Sequence, residues 1–150
     1  MAKLIYVLNG PNLNLLGSRE PEVYGKDTLD DVRAKCEGKA KALGFAIDFR
    51  QSNHEGELVA WIQEARGEAS GLIVNAGAFT HSSIAMLDAL LASELPCVEV
   101  HLSNIFRRES FRHNSYISKG AKGVICGFGP LGYELAIEAL AASLEPEKAR

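Results

Sequence analysis

Five short β-branched runs recur along the chain, and their rhythm restricts the fold more than any other feature. They are "LIYVLN" (4–9), "FAIDFRQ" (45–51), "GLIVNAG" (71–77), "PCVEVHL" (96–102) and "GVICGFG" (123–129). Between them, residues 28–43, 55–66, 82–93 and 131–144 place apolar side chains three and four apart, the period of one buried helical face. Parallel strands need a crossover of a dozen or more residues, and a helix of this length supplies it. "LIYVL" and "LIVN" are apolar without interruption, as in strands covered by helices on both faces. Thr28 and Ser82 read as N-caps and Gly44 as a helix stop. The expected architecture is α/β: a flavodoxin-like, doubly wound five-stranded parallel sheet in the order 2-1-3-4-5, in a single domain spanning residues 1–150.

A sheet covered on both faces needs a sizeable core, and 150 residues with 47% apolar content can bury one. The net charge of −3, with no basic run, argues against nucleic acid as a partner. Cys36, Cys97 and Cys126 are odd in number and far apart, so they read as reduced core residues, not as disulfide partners or zinc ligands. No apolar run approaches the ~20 residues that span a bilayer. The opening "MAKLIYVLNG" breaks too early for a signal peptide. The expected setting is the cytoplasm.

Doubly wound sheets bind ligands outside the carboxyl ends of their strands, where the strand order reverses. The first strand ends into Asn9 to Asn14, the third into Asn75 to His81, and the fourth into Glu99 to Ser103. With strands one, three and four as neighbours, these polar ends meet in one crevice.

Each polar cluster there carries a chemical reading and a plainer one. In "VEVHLSN", alternation puts Glu99 and His101 on one side of the strand, where a carboxylate orients and polarises an imidazole. The plainer reading is a surface pair on an edge strand. Apolar flanks favour a central strand, where an unpaired charge is costly. The first connection, "LNGPNLNLLGSREPEVYG" (8–25), holds Arg19 and Tyr24. A phenol titrates near ~10, and a close guanidinium favours its anion. By composition alone, however, this segment reads as a solvated loop with Tyr24 packed on the surface.

"NAGAFTHSS" (75–83) combines small residues, which admit a ligand to the backbone, with Thr80, His81, Ser82 and Ser83 at a helix start. It reads either as an anion or hydroxyl site or as a capping cluster. Asp88 follows His81 by seven positions, on nearly the same helical face but roughly 10 Å along. One small ring cannot reach both, which leaves Asp88 to a different site, such as that of a neighbouring subunit. "SNIFRRESFRHNSY" (103–116) concentrates Arg107, Arg108, Arg112 and His113. This is a local anion site or a set of surface ion pairs with Glu109. "GFGPLG" (127–132) fits G-x-G-x-x-G but follows the last strand, with no further strand to complete a dinucleotide-binding unit. It reads as a glycine turn entering a helix near Pro130. His54 reads as a surface residue.

Together, "LNGPNLNLLGSREPEVYG", "IVNAGAFTHSSIAMLDAL", "VEVHLSNIFRRESFRHNSYIS" and "GVICGFGPLGY" closely resemble type II 3-dehydroquinate dehydratase, from Ile5 to about Leu144. The resemblance implies a flavodoxin-like enzyme that needs no cofactor or metal and assembles as a dodecamer of trimers. It also implies anti elimination of water from 3-dehydroquinate through an enolate, in the shikimate route to chorismate and aromatic amino acids. By resemblance, Tyr24 is the base and Arg19 favours its anion, which makes the first connection an active-site lid. His101 is the general acid with Glu99 as its orienting partner, and Asn12 holds a water at the enolate. Asn75 and the amides of Leu102 and Ser103 bind the carboxylate, His81 and Arg112 the ring hydroxyls, and Asp88 is lent across a trimer interface. The rival reading is a flavodoxin-like FMN-binding module. A regulatory receiver domain lacks its clustered aspartates in "LIYVLNG".

Overall fold

All strand pairs are parallel, and the sheet runs β2-β1-β3-β4-β5. Its strands are β1 (Lys3–Asn9), β2 (Phe45–Gln51), β3 (Gly71–Asn75), β4 (Cys97–His101) and β5 (Gly123–Cys126). The computed structural model describes residues 2–18, 20, 22 and 25–144. Arg19 and Tyr24 of the first connection lie outside the described residues. The order agrees with the sequence expectation, and so does the doubly wound form. Helices α1 (Leu29–Ala42) and α4 (Leu131–Leu144) cover one face, α2 (Glu55–Glu68) and α3 (Ile84–Ser93) the other.

Strand alternation divides the core into two layers. Ile5 and Val7 of β1, with Ile73, Val98 and Val100, pack against Val32, Cys36, Ile137 and Leu140. Tyr6 and Leu8, with Leu72 and Val74, pack against Leu58, Ile62, Met86 and Leu90. Each large aliphatic side chain buried in this way contributes about 1.5–3 kcal/mol, so both faces of β1 and β3 must be apolar. That explains their uninterrupted runs. The three cysteines are free, Cys36 and Cys97 in the core, and burial pushes the Cys36 thiol up to about 12. Among the described residues no helix is long and apolar enough to cross a membrane.

Local chemistry sets the helix ends. The Thr28 hydroxyl accepts from the Asp31 amide (3.2 Å) while the Asp31 carboxylate accepts from the Thr28 amide (2.9 Å), a reciprocal cap for α1. Gly44, at φ 83°, follows its last turn. The expected cap Ser82 is displaced by one residue. The Ser83 hydroxyl accepts from the Met86 amide at 2.9 Å, whereas Ser82 closes a separate 3-10 turn, Gly77–His81. His81 therefore does not share a helix with Asp88, and the expectation of one common face fails.

At the carboxyl edge β1 and β3 are clamped together. The Gly10 amide donates to the Asn75 carbonyl at 2.8 Å. A Cβ at position 10 would come within 2.1 Å of the Ala76 carbonyl oxygen, so only glycine permits this approach.

Candidate active site

β4 runs between β3 and β5, which rules out the edge-strand reading of its acid and imidazole. Glu99 is fully buried and His101 nearly so. The His101 Nε2 is hydrogen-bonded to Glu99 Oε2. Two hydroxyls complete the carboxylate's shell: Ser115 donates to Oε2 at 2.8 Å and Ser118 to Oε1 at 2.5 Å. Burial works against the charge, but the imidazole and the Ser118 and Ser115 hydroxyls outweigh it and hold the Glu99 carboxyl below the usual carboxylate range. Ser115 and Ser118 were not singled out from sequence, since neither lies within the "VEVHLSN" run.

Beside this charged cluster, the ends of β1 and β3 carry a neutral one. Asn9 and Asn75 are paired in register, and the fully buried Tyr133 hydroxyl of α4 links them. It donates to Asn9 Oδ1 at 2.7 Å and accepts from Asn75 Nδ2 at 2.8 Å. Burial pushes the phenol above its ordinary range, against the opposing pull of the Asn75 N–H.

A cleft opens over these carboxyl ends. Its walls include Asn12, Asn75, His81, His101, Leu102, Ser103 and Arg112, so seven of the expected site residues converge on one space. Each is delivered by the end of β1, β3 or β4, or by the segment that follows β4. Asn12 adopts a left-handed conformation with φ 70°, tolerated by asparagine, and its amide donates to Asn53 Oδ1 at 3.0 Å. Gln51 Nε2 donates to the Gly10 carbonyl at 3.1 Å, so the end of β2 braces the first connection. The His81 Nδ1 lies 2.9 Å from the Asn114 carbonyl. That acceptor requires a proton on Nδ1, so in the neutral ring Nε2 is the acceptor. Among the described residues, neither the Leu102 nor the Ser103 amide donates to a backbone acceptor.

Arg112 lines the cleft, and its Nε pairs with Glu109 Oε1 at 3.2 Å, as the ion-pair reading expects. Arg108, which carried no assigned role, also lines the cleft, with Nη1 3.4 Å from Ser103 Oγ. Its signal was the arginine-rich segment itself. Glu99 stands behind His101, and Asp88 lies away from the cleft, exposed on α3. A second hollow, bounded by Glu22, Ser103, Arg107, Arg108 and Gly127, adjoins the first along Leu102 and Ser103. The glycine-rich turn is spent on structure: the Gly127 and Gly129 amides donate to the His101 and Leu102 carbonyls at 3.2 and 2.9 Å. Among the described residues no three His, Cys, Asp or Glu side chains group as a metal site. His54 is exposed, as expected.

The cleft thus combines a carboxylate-backed imidazole, able to move a proton, with amides and guanidinium groups of the kind that can hold an anion.

Residues 3–141 match the family described as Dehydroquinase class II. The chain is 62% identical over 141 residues to 3-dehydroquinate dehydratase of Phenylobacterium zucineum, covering 94% of this chain and 97% of that one. It is 57% identical over 145 residues to 3-dehydroquinate dehydratase 2 of Pseudomonas aeruginosa, covering 97% and 98%. The crystal structure of a type II dehydroquinase from Propionibacterium acnes superposes with a TM-score of 0.91 at 44% identity, covering 95% of this chain and 98% of that one.

Proposed function

The chain belongs to the class II dehydroquinase family, and we propose from that premise how its cleft removes water from 3-dehydroquinate to give 3-dehydroshikimate, the third step of the shikimate pathway. The observation that carries this reading is the buried Glu99–His101 pair at the wall of an otherwise neutral and cationic cleft.

A proton beside a ketone is weakly acidic, and hydroxide is a poor leaving group, so the elimination needs a base, an acid and a stabiliser of the enolate. Tyr24 is the base, and the Arg19 guanidinium favours its phenolate. Asn12 holds a water against the enolate oxygen. His101 then protonates the tertiary hydroxyl as its carbon–oxygen bond breaks, and the departing group leaves as water. Since Glu99 occupies Nε2, the delivered proton leaves from Nδ1. Base and acid act from opposite faces of the ring, which gives anti stereochemistry. The substrate carboxylate sits on the Asn75 side chain and the Leu102 and Ser103 amides, and His81 and Arg112 take the ring hydroxyls. No step calls for a cofactor or a metal, and the first connection closes over the ring to exclude water.

The enzyme acts in the cytoplasm as a single catalytic domain, assembled as trimers within a dodecamer. An apolar stripe on α3 supports assembly: Ile84 and Leu91, 55% and 57% exposed, flank Asp88 on one open helical face. Asp88 would enter a neighbour's cleft from that stripe.

The test is ultraviolet absorbance of the conjugated enone when purified protein meets 3-dehydroquinate. Absorbance should grow with unmodified protein. It should fall by about 10²–10⁴-fold in rate for Tyr24→Phe with the fold retained. An FMN-binding module would instead be yellow and inert to this substrate.

A further inference from the structure

We propose that Tyr133 and Asn9 are positioning residues for the cleft: through a one-way chain of hydrogen bonds they force Asn75 to present a donor, and not an acceptor, to the substrate carboxylate. This rests on the function proposed above and adds residues that neither touch the substrate nor move its protons.

The direction of the chain is fixed at both ends. At one end, Asn9 Nδ2 lies 2.9 Å from the Arg50 carbonyl, which can only accept. Asn9 must therefore turn its oxygen to Tyr133, at 2.7 Å. The hydroxyl has one proton, and this contact uses it. Toward Asn75, at 2.8 Å, the same oxygen can then only accept, so Asn75 must offer its Nδ2. At the other end the Gly77 amide, which can only donate, lies 3.3 Å from Asn75 Oδ1 and demands the same orientation. An amide nitrogen carries two protons. One is spent on Tyr133, and Asn75 lines the cleft, so the second is left for a ligand that accepts.

The anchor is itself immobilised. The Arg50 guanidinium is 2.9 Å from Asp48 and 2.6 Å from Glu64, and 4.6 Å from the centre of the Tyr6 ring. Tyr133 is fully buried and Asn75 nearly so. Turning either amide over would set donor against donor or acceptor against acceptor away from water, a costly mismatch. A carboxylate-recognising amide is thus kept in one orientation before substrate arrives.

Tyr133→Phe keeps the ring and deletes the link. KM for 3-dehydroquinate should rise about tenfold, the worth of one hydrogen bond at roughly 1.4 kcal/mol, while kcat stays within about threefold. In an Asn75→Ala background the same substitution should change KM less than about twofold, because the group it positions is gone. An unchanged KM in the single variant overturns the proposal. So does the full tenfold effect in the Asn75→Ala background, which is what loss of packing alone would give. Should Tyr133→Phe fail to fold, Asn9→Ala removes the acceptor and frees the hydroxyl proton to face Asn75, and the same rise and the same non-additivity are expected. If the unmodified chain does not turn over 3-dehydroquinate, both readings fall. If it does, the variants test only the relay.

Discussion

Two hydrogen-bonded clusters stand side by side under the cleft, one around Glu99 and one around Tyr133, and they differ in what they store. Around Glu99 a full charge is buried with three donors, an imidazole and two serine hydroxyls. Around Tyr133 two amides and a phenol are neutral, and their donors and acceptors can match in only one direction. Taking a carboxylate out of water costs several kcal/mol unless such donors replace the solvent. The neutral chain carries no comparable penalty, and each of its bonds is worth about 1 kcal/mol net. The division suits the two tasks of the cleft. Moving a proton needs a group whose charge can change, whereas recognising a carboxylate needs a dipole that does not turn.

The largest expected effect comes from removing the charge. Glu99→Gln leaves an amide with one acceptor oxygen where three donors converge, so the imidazole loses its partner and its orientation. kcat should fall by at least about a hundredfold, in the range of a positioned acid or base group, with KM within about threefold. That is the reverse of the split expected for Tyr133→Phe. Steady-state kinetics on both variants checks it, and a rise in KM with intact kcat for Glu99→Gln would break the division of labour.

Acid separates the two clusters next. The folded-state pKa of Glu99 is lowered, so its contribution to stability is fully present above the unfolded value of about 4.3. It is lost as pH falls through the lower folded value. Urea unfolding between pH 7 and pH 3 should therefore show a shallower loss of stability for Glu99→Gln than for the unmodified chain. Tyr133→Phe should keep the original slope, since the phenol's proton stays bound throughout this window. Equal slopes for all three proteins would mean that the buried carboxylate is not held ionised by its neighbours.

The sequence disclosed the charged cluster more readily than the neutral one, for physical reasons. Glu99 and His101 are two residues apart on a strand, and alternation alone puts them together. Asn9, Asn75 and Tyr133 are separated by 58 residues or more along the chain, and nothing local in "VLNG" or "LGYEL" announces a meeting. Strand order did more: once β1, β3 and β4 are neighbours, their polar ends converge, and seven expected residues do line one cleft. Helix starts were legible to within one residue, because Ser82 and Ser83 are equally good caps and the 3-10 turn ahead of α3 decides between them. That turn also removed His81 from α3. Arg19 and Tyr24 were assigned by resemblance, and the described residues place neither.

The smallest effects should come from the two serines, and their order sharpens the picture of a caged charge. Ser118 is the hydroxyl on Glu99 Oε1, whereas Ser115 shares Oε2 with His101. Removing Ser118 strips one oxygen of its donor among the described residues. Removing Ser115 leaves the other oxygen with the imidazole. A hydrogen bond to a charged group contributes about 1.5–3 kcal/mol, so Ser118→Ala should cost about 2 kcal/mol by urea unfolding at pH 7, and Ser115→Ala about half as much. Both penalties should shrink as pH falls through the lowered folded value of Glu99, where the carboxylate they serve takes up its proton. A penalty that is equal for the two and independent of pH would show that the hydroxyls only fill space beneath His101. The cage would then reduce to the imidazole alone.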